Sequence, residues 1–211
     1  MTRQCTALIL SKRGFGEGHL LLTVLDADRG KTKYSAFGAA LETGLRRAAL
    51  LSGSFIRGLI SPSKTPQFEV LNETQLLFSA ENLRSDLRLM GFLLFTLEIL
   101  DKMLMEEELF EYFDELFETF RLFDENQDEK YILFFLSKFL SSGSWLEIPQ
   151  KQKLSPQTKR FINDSNNYSS SFLQGKNISS QRKHELSYFF AHAIKYARGH
   201  MPRSLELLKF N

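Results

Sequence analysis

The stretch CTALILSKRGFGEGHLLLTVLDADRGKTKYSAF, residues 5–37, decides the fold. Thr6 to Ser11 reads as a strand, and Arg13-Gly14-Phe15-Gly16-Glu17-Gly18 as the turn that follows it. His19 to Asp26 reads as a second strand, with Leu20, Leu22 and Val24 on one face and Leu21, Thr23 and Leu25 on the other. Both faces are apolar, which suits a strand covered on both sides. Asp26-Ala27-Asp28-Arg29-Gly30 is the next turn, and Gly30 supplies the positive φ that such turns need. Lys31 to Phe37 then sets Lys31, Lys33 and Ser35 against Thr32, Tyr34 and Ala36, the alternation of a half-exposed strand. Outward from this core, Ser54 to Leu59 and Gln67 to Asn72 are further strand candidates, and Pro62 and Pro66 bracket the connection between them. Five short strands in roughly 70 residues, with turns between, fit a small closed barrel of OB-fold or SH3-like size.

From about residue 80 the apolar period changes. Leu83, Leu87, Met90, Leu94, Leu97 and Leu100 recur at helical spacing up to about Met105, and Leu109, Phe113, Leu116 and Phe120 repeat it in a second helix. Tyr131 to Leu140 is a third helix, with Gly143 at the left-handed cap position. Ser155-Pro156-Gln157-Thr158 reads as the start of a short helix, and Ser180 to Arg198 as the last one. The expected fold is therefore α+β, an N-terminal barrel over residues 1–78 followed by an all-helical C-terminal domain over 79–211. The 20 Phe against 1 Trp fall mostly in the helical part, where they read as core filling.

Composition removes several function classes. The single cysteine, Cys5, excludes an intramolecular disulfide and any multi-cysteine zinc site. The apolar stretch Ala7 to Leu10 is too short for a signal-peptide core, and no run of about 18 apolar residues suggests a membrane span. A cytoplasmic protein with no membrane partner is the expectation. The formal net charge of +2 argues against a nucleic-acid binder until the chain is divided. Residues 1–66 carry 10 basic and 4 acidic side chains, residues 67–130 carry 5 and 17, and residues 131–211 carry 12 and 4. The net charges are +6, −12 and +8 in succession, which suggests different partners for different regions.

Catalytic constellations are weak. His184, His192 and His200 recur every eight residues, a drift of about 80° per step on a helix, and cannot share one metal ion. The glycine-rich turn Gly14 to Gly18 lacks the Gly-Lys-Ser/Thr ending of a phosphate loop and precedes a strand. Glu106-Glu107-Glu108 sits in a helical context, where surface solvation accounts for it. The protein is expected to be no enzyme, with no cofactor and no metal. A nucleic-acid surface fits better. Lys12, Arg13, Arg29, Lys31, Lys33, Arg46, Arg47 and Arg57 all fall in the barrel region, with Lys31 and Lys33 on one side of a strand. Cations arranged this way track a phosphate backbone, and Phe15, Tyr34 and Phe37 supply rings for base stacking.

The order of short motifs resembles the RecO family, the recombination mediators of bacterial DNA repair. The resemblance runs through Ala7-Leu8-Ile9-Leu10, Gly14-Phe15-Gly16-Glu17, Leu22-Thr23-Val24-Leu25, Arg29-Gly30-Lys31, Gly38-Ala39 and Leu51-Ser52-Gly53-Ser54-Phe55. It continues in Asn82-Leu83-Arg84-Ser85-Asp86-Leu87 and closes in Pro202-Arg203-Ser204-Leu205. It implies an N-terminal OB-fold and a helical domain. It implies binding of single- and double-stranded DNA, annealing of complementary strands, and partnership with RecR. It further implies contact with the C-terminal tail of single-strand-binding protein, loading of RecA, and a nucleoid-associated cytoplasmic location. Lys195, Arg198 and Arg203 in the basic C-terminal third are expected to meet DNA or that acidic tail by charge complementarity.

Two departures stand out. Many family members carry a four-cysteine zinc site in the helical domain, whereas no cysteine follows Cys5 here. Packing alone is then expected to hold the Leu146 to Asn167 region. The family's basic Lys-Gly-Ala-Arg-Arg stretch reads Phe37-Gly38-Ala39-Ala40-Leu41, with Arg46-Arg47 a few residues on. That replacement motivates a rival expectation, a protein–protein adaptor of the same pathway with weakened or lost DNA binding.

Overall fold

The computed structural model describes residues 2–41, 49–63, 68–143 and 154–208. They form two compact units. The barrel unit runs to Ala80 and also takes in Leu104–Glu111, while the helical unit holds Glu81–Met103 and the chain from Tyr112 onward.

The barrel has five strands: β1 (Arg3–Gly14), β2 (Leu20–Asp26), β3 (Gly30–Ala36), β4 (Phe55–Ser61) and β5 (Glu69–Phe78). They close in the order β1-β2-β3-β5-β4. All neighbours are antiparallel except β3 and β5, which meet as a short parallel seam at Tyr34–Glu69 and Ser35–Val70. This Greek-key closure is that of the OB-fold and decides between the two barrel types that size alone left open. The interior follows the two-residue alternation. Cys5, Ala7 and Ile9 of β1, Leu22 and Val24 of β2, Tyr34 and Ala36 of β3, Ile56 and Ile60 of β4 and Leu71 of β5 make one buried cluster. The opposite faces of β1 and β2 are buried too, at Leu8, Leu10, Leu21 and Leu25, as their apolar character predicts. Gly58 admits this packing, because a Cβ there would stand 2.5 Å from the Leu71 side chain and 3.3 Å from Cys5 Sγ. Burial pushes the Cys5 thiol up to about 11, so it sits in the barrel as an uncharged filler.

β5 continues to Phe78, beyond the expected end at Asn72. Polar residues Asn72, Glu73 and Gln75 conceal the continuation, because exposed side chains alternate there along a strand that stays paired with β4.

The helical unit comprises α1 (Glu81–Ser85), α2 (Leu87–Met103), α3 (Phe113–Asn126), α4 (Lys130–Ser142), α5 (Pro156–Asn167) and α6 (Ser180–Arg198), with 3-10 turns at Ser170–Leu173 and Arg203–Leu207. Phe92, Phe95, Phe120, Phe123, Phe134, Phe135 and Phe190 are fully buried, and each contributes roughly 1.5–3 kcal/mol over an exposed side chain. Ser155 caps α5 by accepting from Thr158 N, with Pro156 in the first turn. Around α5, Phe161 packs edge-on against Phe134 at 5.2 Å, and Glu185 accepts from the hydroxyls of Ser155 and Thr158.

Two expectations need correction. Gly143 has φ −83° and does not take the left-handed cap; Gln127 and Gly199 do so at the ends of α3 and α6. Glu106-Glu107-Glu108 is not helical. α2 ends at Met103, α3 begins at Phe113 and not near Leu109, and the residues between run along the barrel. Among the described residues no helix is long and apolar enough to cross a membrane.

Acidic groups brace the helical unit. Asp128 accepts from Lys183 Nζ at 2.8 Å and from the Lys130 backbone at 3.1 Å, and Glu98 accepts from both backbone N–H groups at Arg203 and Ser204 and from the Ser204 hydroxyl. Burial alone would raise both carboxyls, but these donors outweigh it and hold both below their ordinary values. A depressed folded-state pKa contributes stability above the unfolded value, and that contribution is lost as pH falls through the folded one. We expect far-UV circular dichroism of the chain to show helix loss beginning below about pH 4. Asp128→Asn should shrink that acid-dependent change and lower stability at pH 7; an unaltered acid profile would contradict the assignment.

Candidate nucleic-acid interface

The turn Asp26–Gly30 and strand β3 bring three of the expected cations together. Lys31 and Lys33 stand on the outer side of β3, opposite Leu25 and Thr23 of β2, and Arg29 lies in the turn before them. Their surroundings are acidic. Leu104–Glu111 runs beside β3, with Glu107 N donating to the Lys31 carbonyl at 2.9 Å and a parallel bridge between Lys31 and Glu106. Lys31 Nζ donates to the Leu104 carbonyl at 3.2 Å, and Lys33 is paired with the Glu106 carboxylate. Arg29 pairs with Glu69 at 2.5 Å and reaches Glu107 at 3.8 Å. The hydrogen bond and charge of Lys33 hold the Glu106 carboxyl below its ordinary value. Between these groups lies an open groove of about 400 Å³, also lined by Pro62 and Phe68. Gly30 permits the approach. Its φ is +71°, and a Cβ there would fall 1.7 Å from the Glu108 carbonyl oxygen.

Lys12 and Arg13 occupy the end of β1 that projects beyond the barrel core, and both are exposed. Phe15 and Phe37 lie exposed at 40% and 46%. Phe15 meets Phe68 edge-on at 5.9 Å, and Phe37 meets His19 edge-on at 4.8 Å. His19 is fixed in turn, since its Nδ1 accepts from Gly38 N at 3.0 Å. Arg57 is apart from these groups. It stands on β4 between Thr6 and Gln75 and lines a separate shallow groove with Gln4 and Glu73. Arg46 and Arg47 lie outside the described residues.

Tyr34 is not available for stacking, contrary to the reading of its sequence. It is fully buried, and its hydroxyl donates to the Asp26 carboxylate and accepts from Arg3 Nη2 at 2.7 Å. Burial first, and then the bond to Asp26, push the phenol far above its usual range. Arg3 also pairs with Asp26 at 3.2 Å and Glu69 at 3.4 Å, so one ionic network ties β1, β2, β3 and β5 together.

In the helical unit the three expected cations differ in availability. Lys195 is exposed on the last turn of α6. Arg198 already serves the fold, its guanidinium donating to the Lys102 carbonyl at 2.5 Å and the Met103 carbonyl at 3.5 Å at the end of α2. Arg203 is exposed, and only its backbone N–H is committed, to Glu98. Among the described residues no three His, Cys, Asp or Glu side chains are grouped to hold a metal ion.

Sequence reasoning missed Glu69, Glu106 and Glu107 as neighbours of the cations. The run of three glutamates was visible, but nothing in a segment 73 residues distant from Lys33 announces the pairing.

No family model matches the chain. Two curated proteins do: DNA repair protein RecO of Bacillus velezensis is 26% identical over 135 residues, and DNA repair protein RecO of Bacillus subtilis is 25% identical over the same length. Each match covers 64% of this chain, and the chain spans about half, 52%, of either relative. The OB-type barrel, the helices that follow it and the order of the motifs agree with these two relatives, and the chain is similar to RecO proteins over that shared length.

Proposed function

We propose that this protein is a DNA-repair and recombination mediator that acts by binding, without covalent chemistry. It holds single- and double-stranded DNA through the barrel, anneals complementary strands, and works with RecR to load RecA where single-strand-binding protein covers the DNA. Its place is then the cytoplasm, at the nucleoid. The observation that carries the reading is the end of strand β1 in an OB-type barrel, where Lys12, Arg13 and Phe15 are exposed in succession, with Phe37 exposed against His19. Cations that track phosphates, beside rings that accept bases, are the elements of single-strand binding on such barrels. Similarity to two DNA repair proteins supports the repair setting of this reading.

The test is binding of a fluorescent single-stranded oligonucleotide by the full chain across a salt series. The pair Lys12→Ala/Arg13→Ala should weaken binding severalfold at low salt and flatten the slope of log K against log salt by about 1.4, the share of two phosphate contacts on a single strand. Unchanged affinity and slope would remove the barrel end as the site.

A second reading rests on a specific observation. Glu69, Glu106 and Glu107 counter Arg29 and Lys33. This favours an adaptor that binds its protein partners and holds DNA weakly. Capture of RecR by a chain that binds no oligonucleotide at low salt would select it.

A further inference from the structure

Helix α6 buries Leu186, Phe189, Phe190, Ala193 and Ile194. Its outer side carries rings where a solvated helix ordinarily carries charge. His184, Tyr188, His192 and Tyr196 recur at every fourth residue, so each ring follows the last by one turn with a drift of about 40°. His184 and Tyr188 stack at 6.0 Å with planes 23° apart, and Tyr188 and His192 lie 4.9 Å apart. Tyr188 is 46% exposed and Tyr196 72%. Lys195, seven residues beyond Tyr188 and exposed, returns to nearly the same side. Of the helix's four cationic side chains, Lys183 is paired with Asp128 and Glu129 and Arg198 with backbone carbonyls, while Lys195 stands exposed near the row; the helix's one carboxylate is Glu185. That carboxylate is occupied by the hydroxyls of Ser155 and Thr158.

We propose that this row is a stacking surface for single-stranded nucleic acid on the helical unit. Charge selects the occupant. Lys195 is exposed beside the row, and the helix's one carboxylate accepts from the Ser155 and Thr158 hydroxyls, which suits a polyanion. A row of rings in a basic setting suits the bases of that polyanion, since every base has a π face and stacking is tolerant of sequence. Tyr188 and Tyr196 lie outside the buried face of the helix. The inference builds on the DNA-binding reading given above. It lies on a different unit, so the two can fail separately.

The experiment uses the full chain and an oligothymidylate probe read by fluorescence anisotropy. Tyr188→Ala/Tyr196→Ala should weaken binding on the order of tenfold or more. Tyr188→Phe/Tyr196→Phe should bind as the unaltered protein does, because stacking needs the ring and not the hydroxyl. Circular dichroism of both pairs should be unchanged, since the side chains are exposed. Unchanged affinity in the alanine pair overturns the proposal. So does an equal loss in the phenylalanine pair. A loss of acidic-peptide binding with oligonucleotide binding intact also overturns it, and would make the row a protein-docking face. Loss in the alanine pair with none in Lys12→Ala/Arg13→Ala would uphold this surface and refute the barrel end. The reverse result would do the opposite.

Discussion

Asp26→Ala is expected to lower the stability of the barrel by about 3 kcal/mol. The carboxylate is fully buried and accepts from four donors: the Tyr34 hydroxyl, Arg3 Nη1 at 3.2 Å, Arg3 Nη2 at 3.3 Å and the Asp28 backbone at 2.9 Å. Alanine leaves a guanidinium and a phenol facing a void. The cost of a broken buried pair runs to about 3–5 kcal/mol, and the lower end applies because Arg3 is 29% exposed and retains Glu69. Tyr34→Phe should cost less, about 1–2 kcal/mol, since the Asp26–Arg3 pair survives it. Hydrogen exchange of the β2 and β3 amides measures both changes in the intact chain. A cost below about 1 kcal/mol for Asp26→Ala would show that the network does not hold the strands.

The same network marks where sequence reading stops. Alternation in Leu20 to Asp26 and Lys31 to Phe37 was enough to locate β2 and β3 and to set Lys31 and Lys33 on one side, because a half-buried strand writes its two faces into every second residue. Alternation also assigned Tyr34 to the face opposite those lysines, but it does not say which face is the interior. Asp26 read as a turn former, and only the closed barrel reveals it as a fully buried ion. Strand order was hidden for a similar reason: the barrel closes through two parallel residue pairs, Tyr34–Glu69 and Ser35–Val70, 35 residues apart in the chain. In the helical part Ser155-Pro156 and the limits of α6 were legible, since caps are local chemistry. The departure of Glu106–Glu108 from the helix was not local. Three adjacent carboxylates look equally at home on a solvated helix, and the backbone of Lys31 and the ammonium of Lys33 decide otherwise.

That pairing sets up the second large effect, on binding. Glu106→Gln/Glu107→Gln should raise the affinity of the full chain for single-stranded DNA severalfold at low salt and steepen its salt dependence by about 0.7. The substitutions leave the backbone bond from Glu107 to Lys31 in place and remove the charge facing Lys33 and the more distant of the two facing Arg29, which keeps Glu69. Lys33, freed of its carboxylate, becomes one more phosphate contact and adds about 0.7 to the slope on a single strand, while Arg29 keeps Glu69. Gly30→Ala offers an independent route to the same end. Its Cβ would meet the Glu108 carbonyl at 1.7 Å, so the acidic segment must shift, while the left-handed backbone costs the turn about 1–2 kcal/mol. If both variants bind more tightly, the groove beside β3 is a phosphate path that the protein's own glutamates occupy. If the glutamine pair binds no better and its slope stays flat, Arg29, Lys31 and Lys33 are structural cations. Among the described residues the expected barrel contacts are then Lys12, Arg13 and Arg57, and an adaptor becomes the better account of the protein.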